Sequence, residues 1–330
     1  MSEPAIRHAY DLHVLPRAAA RIAEDADHGW VFGLPRGIAP GQWPLDPVTG
    51  APLMHGFTLL LPPDYRCHGP EIVGLSFFAT PAEHNDGGAE PDGAFAAMIA
   101  SPPDAPPANA AWRPYWEQAR GAHPRLYRMT DILDYHYAVI LLTADEIAGP
   151  VCEPPPLPTL DGDTPEWVTS RDMEAVRQLL RPSRPLGLSE DELRALRTGT
   201  MPPTPDPAPP LPGDAGSVAD FALRWEPRAT DPNAGKAPRE SYDDEPTDTG
   251  YQSYSYYVDG RLDIENYREH EWSRDHLEPH IGGTMRPVQG IPEMSPYYVE
   301  FDESFGGYNF GGGGNAQLDF KTMTFDWACG

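Results

Sequence analysis

The stretch that decides the fold runs from His280 to Gly330: HIGGTMRPVQGIPEMSPYYVEFDESFGGYNFGGGGNAQLDFKTMTFDWACG. Tyr297 to Phe301 and Gln317 to Trp327 carry the alternating β-branched and aromatic character of half-buried strands. Between them, Gly306-Gly307 and Gly311 to Gly314 supply backbone able to reach positive φ. Short strands joined by tight turns are a fold signature, and no catalytic motif lies within them.

Working outward, a similar order recurs near the other end of the chain. Gly33-Leu34-Pro35, Trp43-Pro44, Pro52-Leu53-Met54, Phe57 and Gly74-Leu75-Ser76-Phe77-Phe78 give a glycine turn, a Trp-Pro pair, an apolar strand and an aromatic strand. The late segment has Ile281-Gly282-Gly283, Pro287-Val288-Gln289, the strand at 297–301, Gly314-Asn315-Ala316-Gln317-Leu318, then Phe325-Asp326-Trp327 and Cys329. These two segments, 30–80 and 280–330, resemble the two halves of the YwqG-like family of bacterial proteins. The resemblance implies a mostly β, duplicated fold and brings no settled reaction with it. Where an acidic Gly-Asp-x-Gly turn would be expected, this chain has Gly314-Asn315-Ala316-Gln317.

Composition narrows the fold class further. The 330 residues include 41 Pro and 31 Gly, too many punctuators for long helices or a parallel α/β sheet. The expected fold is therefore α+β and mostly β, with several small antiparallel sheets in two related halves and few short helices. Three regions are expected: an N-terminal half over 1–150, a helical and Pro-rich insertion over 151–213, and a C-terminal half over 214–330.

Charge bounds the partners. Fifty acidic residues face 24 basic ones, for a formal charge of −26. A field of that sign repels nucleic acid and anionic membrane, attracts basic proteins, and also favours solubility. Cys67, Cys152 and Cys329 are far apart and form no metal pair or disulfide framework, which fits a reducing cytoplasm. Neither a signal sequence nor a membrane-spanning run is apparent, so the expected location is cytoplasmic.

In chain order, a short helix is expected over Pro16 to Asp25, and strands at Trp30 to Phe32, Leu53 to Leu61 and Ile72 to Phe78. A surface loop with a short helix at Ala94 to Ala100 follows, then an aromatic helical face at Trp112, Tyr115 and Trp116, read as an anchor to the core. YHYAVILLT, Tyr135 to Thr143, is a central strand by its apolar, β-branched content. Helices are expected from Thr164 to Leu180 and from Ser189, where Glu192 completes a capping box; the polyproline run Met201 to Gly213 then separates the halves. Val218 to Trp225 and Tyr251 to Val258 are the next strands, and a helical stretch is expected over Ile264 to Trp272.

Few constellations point to chemistry. His276 and His280 have helical metal-pair spacing, but Pro279 disfavours helix at Glu278, so no metal or cofactor is assigned. Gly306 to Gly314 lacks the Lys-Ser/Thr and helix of a phosphate cradle. The most informative grouping is an acidic loop, Asp243, Asp244, Glu245 and Asp248, followed by Tyr254, Tyr256 and Tyr257. Rigid aromatic area ringed by charge makes interface anchors. The resulting expectation is a non-catalytic protein-binding module, in concrete form an immunity or chaperone-like protein that neutralises a basic toxin or effector. Two alternatives stay open: a hydrolase using carboxylates or histidines of 270–280, and a structural or housekeeping protein.

Overall fold

The computed structural model describes residues 5–16, 28–82, 92–169, 221–241, 244–276 and 278–330. Pro16, the first residue of the helix expected over 16–25, instead ends the strand Tyr10–Pro16, while residues 17–25, most of the helical and Pro-rich insertion, and Asp243 lie outside the described residues. Of the expected helix beginning at Thr164, the described part is Glu166–Thr169.

Thirteen strands are seen among the described residues: β1 (Tyr10–Pro16), β2 (Gly29–Val31), β3 (Met54–Leu60), β4 (Ile72–Ala79), β5 (Leu126–Thr130), β6 (His136–Thr143), β7 (Phe221–Pro227), β8 (Ser255–Tyr257), β9 (Tyr267–Glu269), β10 (His280–Ile281), β11 (Tyr298–Asp302), β12 (Asn315–Asp319) and β13 (Thr324–Ala328). Eleven of them form one sheet, in the order β13-β12-β11-β10-β1-β7-β2-β3-β4-β6-β5, where several small sheets were expected. The reason lies in β1 and β7. These N-terminal and mid-chain strands pair along their whole length, and they bridge β10 to β2 so that early and late segments share one ladder.

Every neighbouring pair in this sheet is antiparallel. With eleven strands, the two edge strands β5 and β13 therefore run in the same direction, so antiparallel closure into a barrel is impossible. Side chains seal the gap instead. Trp327 Nε1 and Tyr137 Oη both donate to Asp131 Oδ2, the latter at 2.9 Å, and the Tyr137 and Phe325 ring centroids lie 3.9 Å apart.

The inner face of this nearly closed sheet holds the main core, with Phe57, Phe77, Val139, Val299, Phe301, Leu318 and Phe325 all buried together. The apolar runs of β4 and β6 arise because their outer faces are also covered, by Ile38, Trp43 and Leu53 from the β2–β3 connection packing on Phe78, Ala138, Ile140 and Leu142. Two helices, α1 (Gly93–Ala100) and α2 (Arg113–Arg120), precede β5. Asp92 caps α1, and Phe95, Met98, Ile99 and Tyr115 pack on Leu45 with Trp112 and Trp116 at the margin, which is the anchoring role expected of that aromatic face. Two further short helices are α3 (Ala144–Ile147) and α4 (Glu166–Thr169).

The outer face of β10–β13 is built differently. Here the outward side chains of β10–β12 include His280, Glu300, Asn315, Gln317 and Asp319, and these five are buried. Residues 285–295 cross this face as a strap whose main chain bonds to those side chains. Arg286 N–H donates to Glu300 at 2.9 Å, Val288 N–H to Asn315 Oδ1 at 3.0 Å and Ser295 N–H to Asp319 at 2.6 Å, while Asn315 Nδ2 donates to the Arg286 carbonyl at 2.9 Å. The glycine run also holds an anion, and it is the chain's own. Phe310 N–H and Gly312 N–H donate to Glu303 Oε1 at 2.5 and 2.8 Å and Gly313 N–H to Oε2 at 2.8 Å, with φ of 82°, 86° and 94° at Gly311, Gly312 and Gly313.

Candidate functional site

Strands β8 and β9 form a second, two-stranded sheet separate from the large one. Their register is Ser255↔Glu269, Tyr256↔Arg268 and Tyr257↔Tyr267. Two expectations are corrected here. The strand expected from Tyr251 to Val258 is confined to Ser255–Tyr257, and the helix expected over 264–272 is instead strand Tyr267–Glu269 followed by a single turn of 3-10 helix at Glu271–Ser273. Tyr251 is not available to a partner: it is fully buried with Met285, Ile291, Met294 and Tyr298, and its hydroxyl accepts the Met285 N–H at 2.8 Å. The expected helix does not form because Asp263 makes a turn. Its carboxylate accepts the Glu265 and Asn266 N–H groups, both at 3.1 Å, and Asp259 has φ of 56°.

That turn throws two apolar side chains into solvent. Leu262 is 67% exposed and Ile264 is 84% exposed. Asp259, Asp263 and Glu265 flank them, and all three are exposed. The spacing gave no warning of this pair, which only the hairpin geometry brings to its tip.

At the base of the hairpin, rings stack in a column. Tyr256 lies 4.8 Å from His270, His270 stacks on Trp272 at 5.0 Å with a 14° interplanar angle, and Trp272 lies 5.7 Å from His276. Tyr257 meets Tyr267 edge-on at 5.7 Å, and the Arg286 guanidinium sits 4.8 Å from the Tyr254 ring. The three expected tyrosines are thus together and half-buried, with their rings fixed by neighbours. Asp244, Glu245 and Asp248 are exposed beside them, Asp244 within 3.7 Å of His270 Nε2 and tied to the hairpin by Gln252 Nε2 donating to its carbonyl at 2.9 Å. Burial lowers the His270 pKa, with Asp244 opposing, so the ring is neutral near pH 7 and leaves the carboxylates uncompensated.

The structure also places the histidines of the hydrolase alternative. His276 has a ring nitrogen 3.1 Å from the Thr230 carbonyl, and burial lowers its pKa. The carboxylate nearest it, Asp231, is already engaged: it accepts from Arg228 at 2.9 Å and from the Thr284 hydroxyl at 2.8 Å. Ser273, the hydroxyl closest in sequence, donates to the Tyr254 and His270 carbonyls. His280 is buried on β10, its ring edge-on to Tyr298 at 6.0 Å. Among the described residues, no group of three His, Cys, Asp or Glu is arranged to hold a metal ion.

No helix among the described residues is long and apolar enough to cross a membrane. No family model matches the chain, and neither do any curated protein or any solved structure.

Proposed function

We propose that the protein is a binding module that engages a basic protein partner through the hairpin at 254–276. The observation that carries this reading is the pair of solvent-exposed aliphatic side chains, Leu262 and Ile264, projected from a hairpin bordered by carboxylates. From Asp244 to His276 there are nine carboxylates against three arginines. Exposed apolar anchors with a charged surround are how interfaces combine a slow off-rate with a steered on-rate. The fitting partner surface is an apolar recess rimmed by lysine or arginine. In its most concrete form the module is an immunity or chaperone-like protein that masks a basic toxin or effector in the cytoplasm.

The likeness to the YwqG-like family, and the internal duplication it implies, belong to the same proposal. They are supported by two consecutive antiparallel runs, β2-β3-β4 and β10-β11-β12, each with a long connection after its first strand. They add no reaction.

The test is kinetic, on a partner purified after capture with this chain. Replacing Asp244, Asp263, Glu245, Glu265 and Asp248 by the corresponding amides slows association and flattens its salt dependence. Ile264→Ser speeds dissociation by about tenfold, and Tyr256→Ala does so too if the ring is an anchor worth about 2 kcal/mol. Affinity unchanged by both sets overturns the reading.

A further inference from the structure

The polar row beneath the 285–295 strap does more than hold the strap down, because the residue it holds also reaches the hairpin. Arg286 is fixed at its main chain by Glu300, whose two oxygens accept its N–H at 2.9 and 3.2 Å. Its side chain then leaves the strap for the hairpin base. The guanidinium donates to the Ser273 carbonyl at 2.8 Å and to Glu269 of β9 at 3.2 Å, and it covers the Tyr254 ring. One residue thus joins the buried row to both strands' ends of the candidate binding surface.

The row is crowded with acid. Glu300 stands directly opposite His280 on β10 and Gln317 on β12, with Asp326 next beyond Gln317 on β13. Glu278, which enters β10, has one buried carboxylate oxygen without a hydrogen-bond partner, and its neighbours are Asp302, Asn315 and Arg286. Arg228 and the phenols of Tyr251 and Tyr298 face Glu300 at longer range, as does Glu278 itself. Two carboxyls with few cations between them do not both ionise cheaply.

We propose that Glu278, Glu300 and Arg286 form a proton-operated lock on the hairpin: while the carboxyl pair keeps a proton the strap is docked and Arg286 holds β9 and Tyr254, and when that proton is lost the strap and hairpin loosen together. The lock rests on the reading of the hairpin as the binding surface only for its purpose, and its operation can be measured without any partner.

Burial first, and then the charge of Asp302, push the Glu278 carboxyl up to about 7, against the Asn315 hydrogen bond and Arg286; burial and Glu278 likewise raise Glu300. A carboxyl that ionises near 7 when docked and at 4.5 when solvated shifts the docking equilibrium by about tenfold between pH 6 and pH 8.

The experiment is amide hydrogen exchange on the full chain at pH 6 and pH 8, expressed as protection factors so that the intrinsic pH dependence is removed. The Arg286 and Val288 amides report the strap, the His270 amide, bonded to the Tyr254 carbonyl at 3.0 Å, reports the hairpin, and amides of the β4–β6 ladder serve as reference. In the unmodified protein, strap and hairpin protection both fall about tenfold at pH 8 relative to the ladder. Glu278→Gln removes that fall from both. Arg286→Gln leaves the strap pH-dependent and makes hairpin protection low and pH-independent. Equal hairpin protection at the two pH values overturns the lock, as does a fall that persists in Glu278→Gln. Should Glu278→Gln not fold, the unmodified protein and Arg286→Gln still decide. Loss of partner binding by the hairpin carboxylate variants, by contrast, does not touch this result.

Discussion

Two connections do the same architectural work in opposite chemistry. The β2–β3 connection and the β10–β11 connection each fold back over the outer face of the strands that follow them. The first covers apolar side chains with apolar side chains, Trp43 on Phe78 at 5.6 Å between centroids, in a patch with Ile140 and Leu142. The second covers Glu300, Asn315 and Asp319 with bonds from its own main chain, while its Met285, Ile291 and Met294 pack beside this row on Tyr298. Hydrophobic cover is non-directional and indifferent to pH, whereas a main chain bonded to buried carboxyls is directional and titrates. A sheet can thus be capped for permanence on one side and for response on the other.

The sharpest way to break the comparison is at Phe78, which should be the costlier of two matched truncations. Phe78→Ala removes a fully buried ring from the Trp43 cluster and should lower unfolding free energy by about 3–5 kcal/mol in urea titration. Glu300→Ala leaves the Arg286 N–H without its acceptor and the Gln317 amide with Asn315 alone but also removes a buried carboxyl that is costly to ionise, so the net loss should be smaller, on the order of 2–3 kcal/mol. If Glu300→Ala costs nothing, the strap is held by Asn315 and Asp319 alone and the row is passive.

The two caps should also differ in their pH profiles. Because Glu278 is raised in the folded protein, to about 7, its contribution is fully present below the ordinary value of 4.5 and is lost as pH rises through 7. Unfolding free energy of the unmodified protein should fall from pH 5 to pH 8 by on the order of 2 kcal/mol through this group, and Glu278→Gln should flatten that limb. A profile unchanged by Glu278→Gln would place the titration elsewhere.

How much of this was legible depends on what each residue's neighbours are. The alternation in Tyr297 to Phe301 and the unbroken apolar run of Tyr135 to Thr143 read directly as one-faced and two-faced burial, and strands Tyr298–Asp302 and His136–Thr143 are where they were expected. Joining the early and late strands in one ladder was not legible, because β1, DLHVLP after Tyr10, looks like any short extended segment until β7 and β10 pair with it. The acidic loop and the tyrosines were visible as composition. The exposure of Ile264 was hidden because a helical stretch was expected where the Asp263 turn forms, and the buried acid row was hidden because Glu300 and Gln317 stand at alternating positions of strands whose partner face is not visible in the sequence.

The smallest expected effect lies on the acid side of the profile and belongs to the first cap. Glu146 sits on α3, whose main chain packs against Gly37 of the β2–β3 connection. Burial pushes its carboxyl up, but the Thr143 N–H and hydroxyl, His123 and Arg125 together overcome this and hold it at about 2. Arg125 Nη2 reaches both oxygens at 2.5 Å, and His123 lies at 3.1 Å. The sign is opposite to that of Glu278: this contribution is present above 4.5 and lost as pH falls through 2. Because the carboxylate is partly open to solvent, screening limits it to about 1 kcal/mol or less. Glu146→Gln should therefore leave stability between pH 5 and pH 8 almost parallel to that of the unmodified protein, displaced by no more than that amount, and should reduce the loss below pH 4. Were Glu146→Gln instead to change the slope between pH 5 and pH 8, the two caps would share one titrating network, and the division into a permanent and a responsive side would fail.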